Sequence, residues 1–285
     1  MAFGIYDYRK TGSGVSKNEP RKKPFFLFWE IFGNKFWKFF EINIIYVLFC
    51  LPIVTFGPAT AAMTQLMRKF VIEEPIFVFH DFIAAFKKNF RQALPVGIID
   101  LVLIFLLAYN INFYSMGIDA DDLMTKLLPA LSVAMGFFVI MMHFYIYPQI
   151  VALNLTLTQI LKNSFILMIV GFKRSFAAFF TWFVLLAVFY LLLPYSLLTL
   201  PFIPFAWMNF VATFCAYPVI QKHIIDPYYE ARGERNPEYA RLDNSEEAVF
   251  EDMGGSEAPA QALSESKKED KGQRVKVKTK GKIIR

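Results

Sequence analysis

Cysteine and histidine are nearly missing from this chain, with two and three respectively among 285 residues. Cys50 and Cys215 both sit inside apolar runs, where a free thiol packs as a small hydrophobe, so a disulfide framework is excluded. His80, His143 and His223 are too far apart, and too far from either thiol, to give metal-ligand spacing; no metal and no cofactor is expected. Charge is scarce as well: Asp, Glu, Lys and Arg make up 19% of the residues, below the roughly 25% of a soluble domain. No Ser, His and Asp set forms a recognisable local motif, and TGSGVSK near the N-terminus lacks both the spacing of a phosphate-binding loop and a preceding strand. An enzyme is therefore not expected. Residues 1–24 are polar and basic with no short apolar core, so no cleaved leader is expected either.

What the chain has in excess is apolar surface. Hydrophobic residues make up 56% and aromatic residues 18%, with 33 phenylalanines, against roughly 45–50% apolar in soluble domains. Several continuous runs reach the roughly 18 residues needed to cross a bilayer as a helix, and none alternates as a barrel strand would. The fold class expected is an all-α, polytopic helical membrane protein built as three transmembrane hairpins, about six spans with the second short.

The first span runs over residues 36–56 and ends in CLPIVTFGPATAAM, where Pro52, Gly57 and Pro58 crowd an otherwise greasy stretch. If the chain simply left the membrane there, the basic residues 68–91 would lie opposite the basic arm and offend the positive-inside rule. If it turns at TFGP and returns as a short helix over 58–72, both basic regions face the cytoplasm. Glycine then permits the tight backbone, Pro58 suits the first helical turn, and Ala59, Ala61 and Ala62 allow close approach. At about 1.5 Å per residue the returning helix is about 22 Å long, so it crosses at a tilt, spans thinly or is re-entrant.

Residues 76–92 place phenylalanines 79, 82, 86 and 90 at helical spacing, with Lys87, Lys88, Asn89, Phe90 and Arg91 at the end. This pattern predicts an interfacial amphipathic helix. A second hairpin goes out over 94–114 and back over 127–148 through a loop holding Asp119, Asp121 and Asp122. A second amphiphilic stretch covers 156–175. A third hairpin spans 175–200, turns at PFIP and returns over 205–220. Lys88-Asn89 with Tyr147-Pro148, and Lys162-Asn163 with Tyr217-Pro218, bracket the two later hairpins as a faint parallel echo.

Three domains are expected: a basic flexible arm (1–24), a helical membrane domain (25–223) and a mostly disordered tail (224–285), acidic and then basic. The basic end is suited to anionic inner-leaflet lipid, to the acidic block before it or, least of all, to nucleic acid, because no aromatic residues interleave for stacking. The expected localisation is the plasma membrane, multi-pass, with both termini cytoplasmic and the lipid bilayer as the main partner.

Asn43, the run Leu51-Pro52-Ile53-Val54-Thr55, Gly57-Pro58, Ala61, Asp81-Phe82, Phe86-Lys87, Asn89-Phe90 and Ala93 together resemble the YesL-like family of small Gram-positive membrane proteins of unknown function. The resemblance covers residues 43–93 well and the remainder by hydropathy, and it implies a place beside carbohydrate uptake and degradation systems. It offers no catalytic residue to carry over, and the long charged tail departs from the family pattern. It implies ABC permease subunits as partners, although the chain lacks the EAA loop and later Leu-Pro of a permease proper. The function expected is an accessory or scaffolding subunit of a carbohydrate ABC uptake system, with a stand-alone small-solute or proton-coupled transporter as the alternative.

Ionisable groups inside spans are costly and face protein or water. Asp100, soon after Leu94, and His143, just before Pro148, fall at matching depth in consecutive antiparallel helices, about 8 Å below the cytoplasmic surface. Glu41, with Asn43 just beyond, is expected at a similar level. Glu41, Asn43, Asp100 and His143 thus form a candidate intramembrane polar cluster, either a proton relay or ligand site, or a pair that locks two helices.

Overall fold

A computed structural model describes residues 23–116 and 123–239. The N-terminal arm up to residue 22, the acidic loop with Asp119, Asp121 and Asp122, and the acidic and basic tail from residue 240 lie outside the described residues. Among the described residues the chain is helical with no strand: α1 (Pro24–Asn34), α2 (Phe36–Cys50), α3 (Phe56–Val71), α4 (Val78–Met116), α5 (Leu123–Ala152), α6 (Leu157–Val170), α7 (Phe172–Leu191), α8 (Pro204–Ile220) and α9 (Asp226–Glu230). Within α4, α5 and α7 lie apolar stretches long enough to cross a membrane. Their large side chains face outward, among them Ile104, Phe105, Leu131, Val133, Phe180 and Phe183. That surface has no place in water and makes this a helical membrane protein.

The chain does reverse after α2, through a short 3₁₀ turn at Ile53–Thr55 preceded by Pro52. Thr55 closes it, its hydroxyl donating to the carbonyls of Phe49 at 2.5 Å and Pro52 at 2.6 Å. Gly57 and Pro58 are not the turn itself; both are buried in the first turn of α3. Proline is tolerated there because that amide has no intrahelical acceptor.

The short returning helix is the centre of the molecule. From Gly57 to Phe70 only Gln65 and Lys69 are not buried, and α3 packs against α2, α4, α5 and α8. Small side chains at Ala59, Ala61 and Ala62, all 0% exposed, let its neighbours approach. The closest approach is to α4. A Cβ added at Gly57 would lie 2.8 Å from the Cα of Gly97 and closer still to the Ala93 carbonyl oxygen. Backbone meets backbone here, so the glycine serves proximity where the sequence suggested a turn conformation.

This contact corrects the expected registry of the hairpins. Gly97 lies three residues past Leu94, where the second hairpin was expected to leave the cytoplasmic surface, yet it touches the outer tip of the first hairpin. The three hairpins therefore do not stand side by side at one depth. Of residues 76–92, expected as a separate interfacial helix, 78–92 are the start of α4, which runs on through Pro95 without interruption. Phe82 is buried, and Phe49 of α2 packs on Phe82 and Phe86 at ring-centroid distances of 5.3 and 5.0 Å. Asn89 is buried too, its amide donating to the Ala85 carbonyl at 3.0 Å, and Phe90 stacks edge-on against Phe86. Lys87, Lys88 and Arg91 stay exposed on the opposite face. The amphipathic pattern is real, but Phe82 and Phe86 of its apolar face meet the protein where a lipid surface was expected, while Phe79 stays exposed.

Beyond Gly97, α4 continues for about 28 Å at 1.5 Å per residue, with α5 packed alongside. The third hairpin is α7 and α8, tied by the Trp182 indole donating to the Met208 carbonyl at 2.7 Å. Asn43 joins this hairpin to α2. Its Nδ2 donates to the Leu200 carbonyl and its Oδ1 accepts from the Ala206 amide, both at 2.9 Å, satisfying backbone groups that the turn and the start of α8 leave open. Asn43→Leu strands both groups and is expected to cost about 2 kcal/mol; a thermal-unfolding comparison in detergent measures it.

The packed structure also extends past residue 223, the boundary expected from composition. A π-helical turn at Gln221–Ile225 leads into α9, and residues up to 239 return onto the bundle, where Arg68 pairs with Glu238.

Candidate functional site

Asp100 is presented by α4 one turn beyond Gly97, and His143 by α5. Their side chains meet: His143 Nδ1 is 3.3 Å from Asp100 Oδ1. The other carboxylate oxygen accepts the Tyr147 hydroxyl proton at 2.8 Å. Tyr147 is 2% exposed and Asp100 9%, so the carboxylate is shielded and both its oxygens are engaged. Tyr147 was singled out in the sequence only as one end of the echo, although the signal for its place here was present: it lies four residues after His143, on the same face of α5. The two rings sit 5.0 Å apart, edge to face.

The other two candidates go elsewhere. Glu41 is exposed on α2, and Asn43 is consumed by the contacts to Leu200 and Ala206. Both were placed by counting depth from the start of each span, which fails because the helices begin at different heights. Glu41 is thus outside the cluster, and the group that α2 sends toward it is Tyr46, whose hydroxyl lies 3.2 Å from Thr60 Oγ1.

His143 and Tyr147 form part of the wall of a partly open cavity of about 270 Å³, lined by α2, α3, α5, α7 and α8. On the α3 and α8 side its polar groups make a short chain: Asn209 Nδ2 donates to Thr64 Oγ1 at 2.9 Å, and Thr213 Oγ1 donates to Asn209 Oδ1 at 3.2 Å. Among the described residues no three His, Cys, Asp or Glu gather as a metal site would require. A carboxylate against Nδ1 fixes the ring's orientation and favours a proton on that nitrogen, which leaves Nε2 as the atom that can accept.

The echo between Tyr147-Pro148 and Tyr217-Pro218 has a structural counterpart. Both tyrosines are buried, and each donates its hydroxyl to a carboxylate, Tyr147 to Asp100 and Tyr217 to Glu238 at 2.5 Å.

Fold and site together define a helical membrane protein with a carboxylate–imidazole–phenol group at the root of its longest hairpin. Residues 39–111 match the model of a family described as "Protein of unknown function, DUF624". That is roughly a quarter of the chain; it takes in Asn43, Gly57, Gly97 and Asp100 and stops before His143 and Tyr147. No curated protein and no solved structure matches.

Proposed function

We propose that this chain is a multi-pass plasma-membrane protein, non-catalytic, that serves as an accessory or scaffolding subunit beside a carbohydrate ABC uptake system. The carbohydrate side of this reading rests on the YesL-like, Gram-positive resemblance of residues 43–93, with which the family match over 39–111 is compatible. The accessory side rests on one observation. Most polar side chains inside the bundle are engaged with one another, while the α4–α5 hairpin runs on past Gly97 with a broad apolar face suited to other transmembrane helices. On α4, Phe105, Tyr109 and Phe113 form a stacked outward stripe, with centroids 6.3 and 5.9 Å apart. Aromatic stripes of this kind pack well against helices of a permease. Cytoplasmic termini are favoured by the exposed Lys87, Lys88 and Arg91, and by Lys173 and Arg174 at the start of α7. The basic tail adds attraction to anionic lipid.

The test is affinity purification of the tagged full chain from native membranes. Solute-permease subunits are expected to copurify, and replacement of Phe105 and Tyr109 by alanine is expected to reduce their recovery severalfold. A second reading, a small proton-coupled transporter, is favoured by Asp100 and His143 beside a cavity. Substrate movement into proteoliposomes holding this chain alone, abolished by Asp100→Asn, would establish it and end the accessory reading.

A further inference from the structure

The wall of the cavity is mostly apolar, with Phe56, Met63, Phe144, Trp182, Leu186 and Phe205 as its large surfaces. Most of its polar side chains are engaged with one another or with Asp100. Tyr46 pairs with Thr60, Asn209 with Thr64 and Thr213, and Tyr147 with Asp100. His143 differs: Asp100 faces its Nδ1, and among the described residues no hydrogen bond is made by its Nε2. In the tautomer with its proton on Nδ1, toward Asp100, the ring offers one lone pair on Nε2. The chamber is therefore greasy, and His143 presents a ring nitrogen at its wall.

That combination selects the ligand. Water is a poor occupant, since an ordered buried water needs two to four polar partners. A sugar is poor for the same reason: along a mostly apolar wall its hydroxyls would find few partners and lose those they have in water. An apolar chain loses nothing by entering, and one terminal hydroxyl can donate to the His143 ring nitrogen. At roughly 30 Å³ per water-sized group, the 270 Å³ cavity holds about nine heavy atoms, the size of an eight-carbon chain with its oxygen.

We propose that this cavity binds a single medium-length aliphatic chain ending in one hydrogen-bond donor. The donor meets His143 Nε2, and the chain lies among Met63, Phe144 and Trp182. Asp100 and Tyr147 act as positioning residues that hold the ring and its tautomer. The site stands independently of the accessory reading, since an accessory protein and a transporter alike can carry it.

Trp182 in the wall supplies the readout. The full chain in nanodiscs is titrated with 7-bromoheptan-1-ol, whose terminal bromine quenches indole fluorescence on contact, and with its methyl ether, which has the same chain and no donor. Saturable quenching is expected with the alcohol, lost in Trp182→Phe, and at least tenfold weaker binding with the ether. His143→Leu is expected to abolish the preference for alcohol over ether, and Ala212→Leu, which fills the cavity, to weaken both. Alcohol and ether binding equally to the unmodified chain would overturn the proposal, as would quenching that rises linearly with probe content and survives Ala212→Leu, since that reports bilayer partition alone.

Discussion

Gly57→Ala and Gly97→Ala are each expected to destabilise the purified chain by about 3 kcal/mol or more, enough to empty the folded peak in a detergent-solubilised thermal assay. Overpacking a core typically costs about 1–3 kcal/mol because side chains can shift. Here the obstacle is backbone. A Cβ at either glycine falls among the backbone atoms of the other, and those atoms belong to helices whose own hydrogen bonds hold them in place. Relief requires α3 and α4 to separate, and α3 is the helix on which four others pack. Gly33→Ala is the matched control, because it also lies within a helix but a Cβ there meets nothing within 4 Å. It is expected to stabilise by about 0.5–1 kcal/mol through helix propensity. Equal, small effects at all three positions would show that α3 and α4 are not in backbone contact.

The same glycine shows where the sequence was readable and where it was not. The hydrophobic runs and their lengths follow from composition alone, and so does the reversal after α2, since Pro52, Gly57 and Pro58 can hardly continue a straight helix with that charge distribution. The purpose of Gly57 was hidden because its partner is forty residues away and equally featureless. The helix over 76–92 was legible as amphipathic, but periodicity reports that a face is apolar and not what covers it. Phe82 and Phe86 meet α2, while the charge on that stretch is partly answered within the protein, Lys69 Nζ lying 2.8 Å from Asp81 Oδ2. The meeting of Asp100 and His143 was legible because consecutive antiparallel helices fix relative depth locally. Glu41 was not, because its depth had to be carried across a hairpin whose height was unknown.

Glu238 marks the largest gap between composition and structure. Its surroundings hold few large apolar residues, and a segment of that kind reads as unable to build a core. It docks through polarity. Glu238 accepts from Arg68, from the Tyr217 hydroxyl at 2.5 Å and from Gln221 Nε2 at 3.1 Å. The Arg68 guanidinium also lies over the Tyr217 ring, 5.1 Å from its centroid. Asn236 holds the approach, donating to Asp226 Oδ1 at 2.9 Å while its own Oδ1 accepts the Glu238 amide at 3.0 Å. Both members of the Arg68–Glu238 pair are 9% exposed at the side chain, so removing one leaves an uncompensated charge out of water. Glu238→Ala is expected to destabilise by about 3–5 kcal/mol, as is Arg68→Ala. The double variant Arg68→Met with Glu238→Leu is expected to recover most of that loss, because the cost lies in stranding a partner more than in losing the pair. Chemical-denaturation curves of the four proteins would measure it. Single variants costing under about 1 kcal/mol would mean that Glu238 is a solvated surface acid and that the segment after α8 does not belong to the bundle.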